Sequence, residues 1–113
     1  MGGWGDEGNK GEAIMKRPFQ PAVYIVASER NGTIYVGVTS DLVGRVWQHR
    51  EGAVEGFTKR YGCKVLVWFE LHSTMDYAIG REKQLKGGSR KRKIALIEAD
   101  NPMWRDLYPD LLG

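Results

Sequence analysis

Asn31-Gly32 lies between two short runs rich in β-branched residues, Ala22-Val23-Tyr24-Ile25-Val26 and Thr33-Ile34-Tyr35-Val36-Gly37. Both residues of an Asn-Gly pair tolerate positive φ, so the dipeptide joins its flanking strands in a tight hairpin. That turn decides which side chains share a face. With an even-numbered loop, Val23, Ile25, Ile34, Val36 and Val38 fall on one face, and Tyr24, Tyr35, Gly37 and Thr39 on the other. One face is aliphatic. The other carries two phenol hydroxyls beside a glycine and a threonine, which points to a site as well as a core.

The pattern continues as one small domain. The hairpin spans roughly 22–27 and 33–38. Thr39 or Ser40 caps a helix with Asp41 in its first turn and a stripe of Leu42, Val46 and His49, ended by Glu51-Gly52. Arg45 flanks that stripe. Residues 53–62, with Phe57, Thr58 and Tyr61, read as a loop or short helix in which Thr58 and Tyr61 could equally touch a phosphate or serve the loop. Lys64 to Leu71 is a third strand, apolar on both faces, so both faces of the sheet should be covered. Ser73 or Thr74 caps a helix running to about Lys86, with a stripe of Met75, Ala78, Ile79 and Leu85. After Gly87-Gly88, Ser89 caps a last helix to about Ala99. The tail from Asn101 to Pro109 is turn-rich, and its aromatics should pack back on the domain. Trp47, Trp68 and Trp104 read as core or half-buried packing. Pro18 marks the entry to a domain of residues 18–113. Residues 1–17 hold five glycines without periodicity and read as a flexible leader or a cloning remnant, with Met15 an alternative start and Trp4 without a structural role. The order β-β-α-(α)-β-α-α implies an α+β fold, a small three-stranded antiparallel sheet flanked by helices.

Composition sets outer limits. The chain has 113 residues, 42% hydrophobic and 27% charged, which is globular. Val65-Leu66-Val67-Trp68-Phe69 falls far short of the ~20 residues of a membrane helix, and the first residues hold no signal-type apolar stretch. The expectation is a cytoplasmic protein without a membrane partner. One cysteine, Cys63, leaves no disulfide partner and no cysteine-cluster zinc site. With His49 and His72 the only histidines, zinc is disfavoured further. The net charge is +3, but the window Arg81–Lys93 has seven basic residues against Glu82 and carries +6, so the rest sums to −3. Such clustering is the footprint of a polyanion partner, or else a solvated basic helix face.

Glu82 falls in the middle of an apolar stripe, where an unpaired carboxylate costs several kcal/mol. It must be paired, exposed in a cleft, or bound to a metal. Arg45 and Glu82 could form a structural ion pair. The other reading is phosphodiester chemistry. That needs a guanidinium to hold phosphate, a carboxylate for a Mg²⁺ that keeps several waters, and a phenol of lowered pKa as general base.

The ordered set Ala22-Val23-Tyr24, Tyr35-Val36-Gly37, the block Gly37 to Leu42 with Arg45 and His49, the Arg81-Glu82…Lys86 helix and the basic Ser89–Lys93 stretch resembles the GIY-YIG endonuclease domain. It is most similar to the single-domain bacterial proteins of that superfamily, and the likeness covers about residues 20 to 107. The resemblance implies a Mg²⁺- or Mn²⁺-dependent endonuclease that hydrolyses DNA with weak sequence specificity and acts in DNA repair or processing on structured, branched or single-stranded DNA. It implies Glu82 as the sole protein ligand of the metal and Arg45 on the phosphate. Tyr24 and Tyr35 would position the water, either being a candidate general base, and His49 would assist proton transfer. Gly37, Thr39 and Asn101 would support the site, while Lys86, Arg90, Lys91, Arg92 and Lys93 would hold nucleic acid. Departures are Ala22 and Val23 in the first motif, Gly87-Gly88 in place of a bulky aromatic, and Val38 where repair nucleases carry lysine. None removes a catalytic position. The competing readings are a nucleic-acid-binding module that keeps the fold without catalysis, and an interaction domain inside a larger complex.

Overall fold

The computed structural model describes residues 18–54 and 56–113, so the expectations for residues 1–17 lie outside the described residues. The strands β1 (Ala22–Ala27), β2 (Ile34–Thr39) and β3 (Val65–Leu71) form one antiparallel sheet in the order β2-β1-β3. The helices are α1 (Leu42–Arg50), α2 (Phe57–Tyr61), α3 (Met75–Lys86), α4 (Arg90–Asp100) and α5 (Tyr108–Leu111). This is the α+β arrangement expected from the sequence. Asn31 takes φ 60°, as the hairpin turn demands.

The register pairs Tyr24 with Gly37 and Ile25 with Val36, which puts the faces where the turn arithmetic places them. The second face is not simply polar, however. Every residue of β1 is at most 1% exposed. On one side Val23, Ile25 and Val36 meet Ala78 of α3 and Ile97 of α4. On the other, Tyr24 and Val26 join Leu42 and Val46 of α1 in a second apolar cluster. A strand buried on both faces needs apolar residues throughout, which β1 supplies and β3 supplies from Val65 to Phe69.

A β-bulge in β3 explains how one strand serves both layers. Ile25 opposes Trp68 and Val26 opposes Leu66, so Val67 is the extra residue. Val67 and Trp68, neighbours in sequence, therefore both enter the Ile25 cluster. The outer edge of β3 is covered by the C-terminal segment. Asn101 Nδ2 donates to the Val67 carbonyl at 3.1 Å, Leu66 N donates to Asp106 Oδ1 at 3.2 Å, and Leu107 N donates to the Leu66 carbonyl at 2.8 Å. These contacts occupy the edge groups of Leu66 and Val67, which are therefore not free to pair with a second chain.

Local details refine the sequence expectations. The N-cap of α1 is Asp41, whose Oδ1 accepts from Gly44 N at 3.1 Å, while Thr39 Oγ1 accepts from Asp41 N at 3.0 Å. Thr39 supports the cap and does not form it. Thr74 and Ser89 cap α3 and α4 as expected. Trp68 and Trp104 are buried, but Trp47 is 52% exposed on α1. It occupies the face of α1 opposite the sheet, between the buried positions Val46 and His49.

Asn101 is 6% exposed, and its amide also donates to the Arg105 carbonyl at 2.8 Å and accepts from Arg105 N at 2.9 Å. Replacing Asn101 by Ala leaves the bulge carbonyl buried without a donor. Urea unfolding of Asn101→Ala should show a loss of about 1–3 kcal/mol with an unchanged m value. A loss near zero would mean that water replaces the amide.

Candidate active site

Tyr24 sits at the centre of β1, pointing to the α1 side, and its hydroxyl cannot be left bare there. The partner is His49, which α1 delivers one turn after Arg45. Tyr24 Oη and His49 Nε2 are 2.9 Å apart. On its other side, His49 Nδ1 lies 3.1 Å from Thr58 Oγ1, and both His49 and Thr58 are buried. The result is a continuous chain from Tyr24 through His49 to Thr58. If the Nδ1 proton is donated to Thr58, the Nε2 lone pair accepts the phenol proton. In the other tautomer Nε2 donates to the phenol oxygen.

Gly37 makes this possible by size alone. A Cβ there would stand 2.4 Å from both Cζ and Oη of Tyr24, so any side chain would displace the phenol. Tyr35, two residues earlier on β2, presents its ring to His49 at a centroid separation of 5.9 Å. Phe57 follows at 6.1 Å from Tyr35, and Tyr61 at 4.7 Å from Phe57, with both outer rings half exposed.

Charge reaches the same place from two helices. Burial pushes the Tyr24 phenol far up, and Arg45 opposes that shift through its charge and a hydrogen bond; Tyr35 and Glu82 raise it further. Burial, and then the charge of Arg45, lowers His49 to about 4. At neutral pH the pair is thus a neutral phenol on a neutral imidazole, beneath a guanidinium. Glu82 reaches the group from α3. Its side chain is 15% exposed, and Lys86 Nζ pairs with it at 3.2 Å while standing 5.4 Å over the Tyr35 ring. Among the described residues no ion pair joins Arg45 to Glu82, so the simple structural pair is not formed.

Tyr24, Tyr35, Arg45, His49, Glu82 and Lys86 therefore converge, supported by Gly37 and, through the α1 cap, by Thr39. Asn101 does not join them, since it serves the far edge of the sheet at β3. Arg90 is engaged elsewhere as well. Its Nη2 donates to the Asn31 and Gly32 carbonyls at 3.1 and 2.7 Å, tying α4 to the hairpin turn. Lys93 Nζ donates to the Gly88 carbonyl at 3.2 Å, and Lys91 and Arg92 are exposed. Thr58 is the member that sequence reasoning left undecided. It lies in a segment without periodicity, and only a buried histidine needing a second partner would single it out. Among the described residues no three His, Cys, Asp or Glu side chains gather as a metal centre. A divalent ion here would rest on Glu82 and keep most of its water, which suits Mg²⁺ better than zinc.

A β-β-α-α-β-α-α-α fold with two tyrosines, an arginine, a histidine and a glutamate around one strand pair defines the nuclease class named for its two tyrosine motifs. The family model described as the GIY-YIG catalytic domain matches residues 20–95, and the chain belongs to the GIY-YIG family. A UPF0213 protein of Staphylococcus haemolyticus is 36% identical over 76 residues, 67% of this chain and 92% of that protein. A UPF0213 protein of Staphylococcus aureus is 34% identical over the same shares. The solution structure of a UPF0213 protein from Bacillus halodurans is similar at 25% identity and a TM-score of 0.49, covering 77% of this chain and 92% of that one. No helix among the described residues is long and apolar enough to cross a membrane.

The depressed His49 pKa links the site to stability. The unfolded chain binds this proton near 6.5 and the folded one only near 4. The contribution is complete above about pH 6.5 and is lost as pH falls toward 4, amounting to roughly 3 kcal/mol. Urea midpoints measured from pH 7 to pH 4 should fall more steeply for the wild type than for His49→Asn. Equal slopes would place the titration in other groups.

Proposed function

We propose that this chain is a divalent-metal-dependent endonuclease that hydrolyses DNA phosphodiesters with weak sequence specificity and acts in DNA repair or processing. The observation that carries the reading is the 2.9 Å contact between Tyr24 Oη and His49 Nε2, under the charge of Arg45.

In this reading Tyr24 is the general base and Tyr35 orients the water. The reason is connectivity. A phenol whose pKa is raised by burial gives no standing tyrosinate, so it can take a proton from water only while passing its own proton on. Tyr24 has an acceptor for that proton in neutral His49. Thr58 holds the opposite ring nitrogen, and in the tautomer whose Nδ1 donates to its hydroxyl, Nε2 is free to accept. Arg45 binds the phosphate and offsets the charge that grows on it during in-line attack. Glu82 would hold Mg²⁺ or Mn²⁺, and the ion would supply the Lewis acidity that stabilises the leaving oxygen. Lys86 competes for the same carboxylate and takes part in phosphate binding when released from it. Phe57 and Tyr61, half exposed beside Tyr35, give unpaired bases a surface on which to stack, which favours structured, branched or single-stranded substrates over plain duplex.

The test is nicking of supercoiled plasmid and of single-stranded and branched oligonucleotides with Mg²⁺, Mn²⁺ or EDTA. Cleavage should require the ion. It should fall on the order of 10²-fold or more in Tyr24→Phe, which keeps the ring and deletes the hydroxyl, and in Glu82→Ala. Binding without ion-dependent cleavage would leave a binding module that retains the fold. Cleavage surviving Glu82→Ala would remove Glu82 as the ligand.

A further inference from the structure

The corner between α3 and α4 holds a concavity of about 200 Å³, and its charged lining is Arg81, Arg92 and Lys93 over a floor of Leu85 and Leu96. No carboxylate lines it. Arg81 is fixed in place: its Nε donates to Glu70 Oε1 at 3.0 Å and its Nη1 to Gln84 Oε1 at 2.8 Å. Arg92 makes no side-chain hydrogen bond or ion pair among the described residues. Three like charges in one small concavity repel one another, and Glu70 offsets only one of them. An anion would relieve the remainder.

Lys93 also lines the neighbouring groove along β2, together with Lys86, Tyr35 and Phe57. The pocket is thus joined to the candidate active site by one shared lysine. We propose that the Arg81–Arg92–Lys93 pocket binds a phosphate group, and that the phosphate is one of the backbone of the strand being cut, lying beyond Lys93 from the scissile bond. This rests on the nuclease reading and refines it. The pocket recruits Arg81 from the preceding helix, and it excludes Lys91 and Arg90, although both belong to the same basic run.

Anisotropy of a fluorescent oligonucleotide, in EDTA to prevent cleavage, tests the pocket. Wild type, Arg92→Gln, Arg92→Lys and Lys91→Gln are compared across a salt series, with thermal midpoints as the folding control. Arg92→Gln should weaken binding about 3- to 10-fold and lower the slope of log K against log salt by roughly one phosphate contact. Lys91→Gln should change both far less, and Arg92→Lys should restore most of the affinity. Inorganic phosphate should shift the Arg81 Nε–H and Lys93 amide NMR signals, and bound oligonucleotide should block that shift. Equal effects of Arg92→Gln and Lys91→Gln would overturn the pocket while leaving the nuclease reading intact. Phosphate shifts that persist unchanged with oligonucleotide bound would assign the pocket to a free anion and overturn the proposal. A wild type that binds no oligonucleotide would instead sink the reading on which the pocket rests.

Discussion

A phenol at the midpoint of a strand buried on both faces must be satisfied, and most of what distinguishes this molecule follows from that requirement. Tyr24 is only 1% exposed to bulk solvent, so its hydroxyl needs a partner from whatever covers the sheet. The cover is α1, and the one α1 residue that can both fill an apolar stripe and accept a phenol proton is His49. Burying an imidazole creates the same demand one step further out, and Thr58 meets it. Gly37 leaves the space that the phenol occupies, and Asp41 starts α1 at the point that brings Arg45 and His49 over the strand. The site is the sheet's own polar accounting, continued outward until it meets charge.

Much of this was legible in the sequence because turn chemistry and strand period act locally. Asn31-Gly32 determines the register, and the register determines that Tyr24 faces Gly37. Thr74 and Ser89 declare their helices by side-chain caps. Glu82 announced itself as a carboxylate at a position that packing alone would fill with an apolar residue. What the sequence hid depends on contacts between distant segments. Thr58 gains its meaning only from a histidine nine residues away. Asn101 was expected at the site and serves instead a bulge carbonyl on the opposite edge, which no local pattern encodes because the bulge exists only in the pairing of β1 with β3. Arg90 belongs to the basic run, yet it closes on the hairpin turn across a sequence separation of 59.

The basic run shows why charge density alone misleads about binding. Its members lie on different sides of α3 and α4 and meet different needs. Arg90 is a structural clamp, Lys86 balances Glu82, and the Arg92 side chain makes no hydrogen bond or ion pair among the described residues. A linear count makes them equivalent, but the fold separates Lys86 and Arg81, which pair with Glu82 and Glu70, from those with no carboxylate partner among the described residues. Only the latter can release counterions on binding a polyanion.

The two shifted groups constrain the chemistry jointly. A phenol pushed up by burial and an imidazole held near 4 would each be a poor catalyst alone, the first because it resists ionising and the second because it resists protonation. Sharing one hydrogen bond, they need not form either charged state at rest. In the proposed reading the phenol passes its proton to His49 while it receives another from water, so the phenol ends neutral and the positive charge rests on the imidazole. Arg45 disfavours an imidazolium but favours a phenolate, which ties a lasting proton transfer to the arrival of negative charge beside the guanidinium. A phosphodiester supplies that charge. Burial is the larger cause of the low imidazole pKa and Arg45 the second, so in the proposed reading a phosphate that neutralises the guanidinium removes only the part of the resistance to protonation that Arg45 supplies.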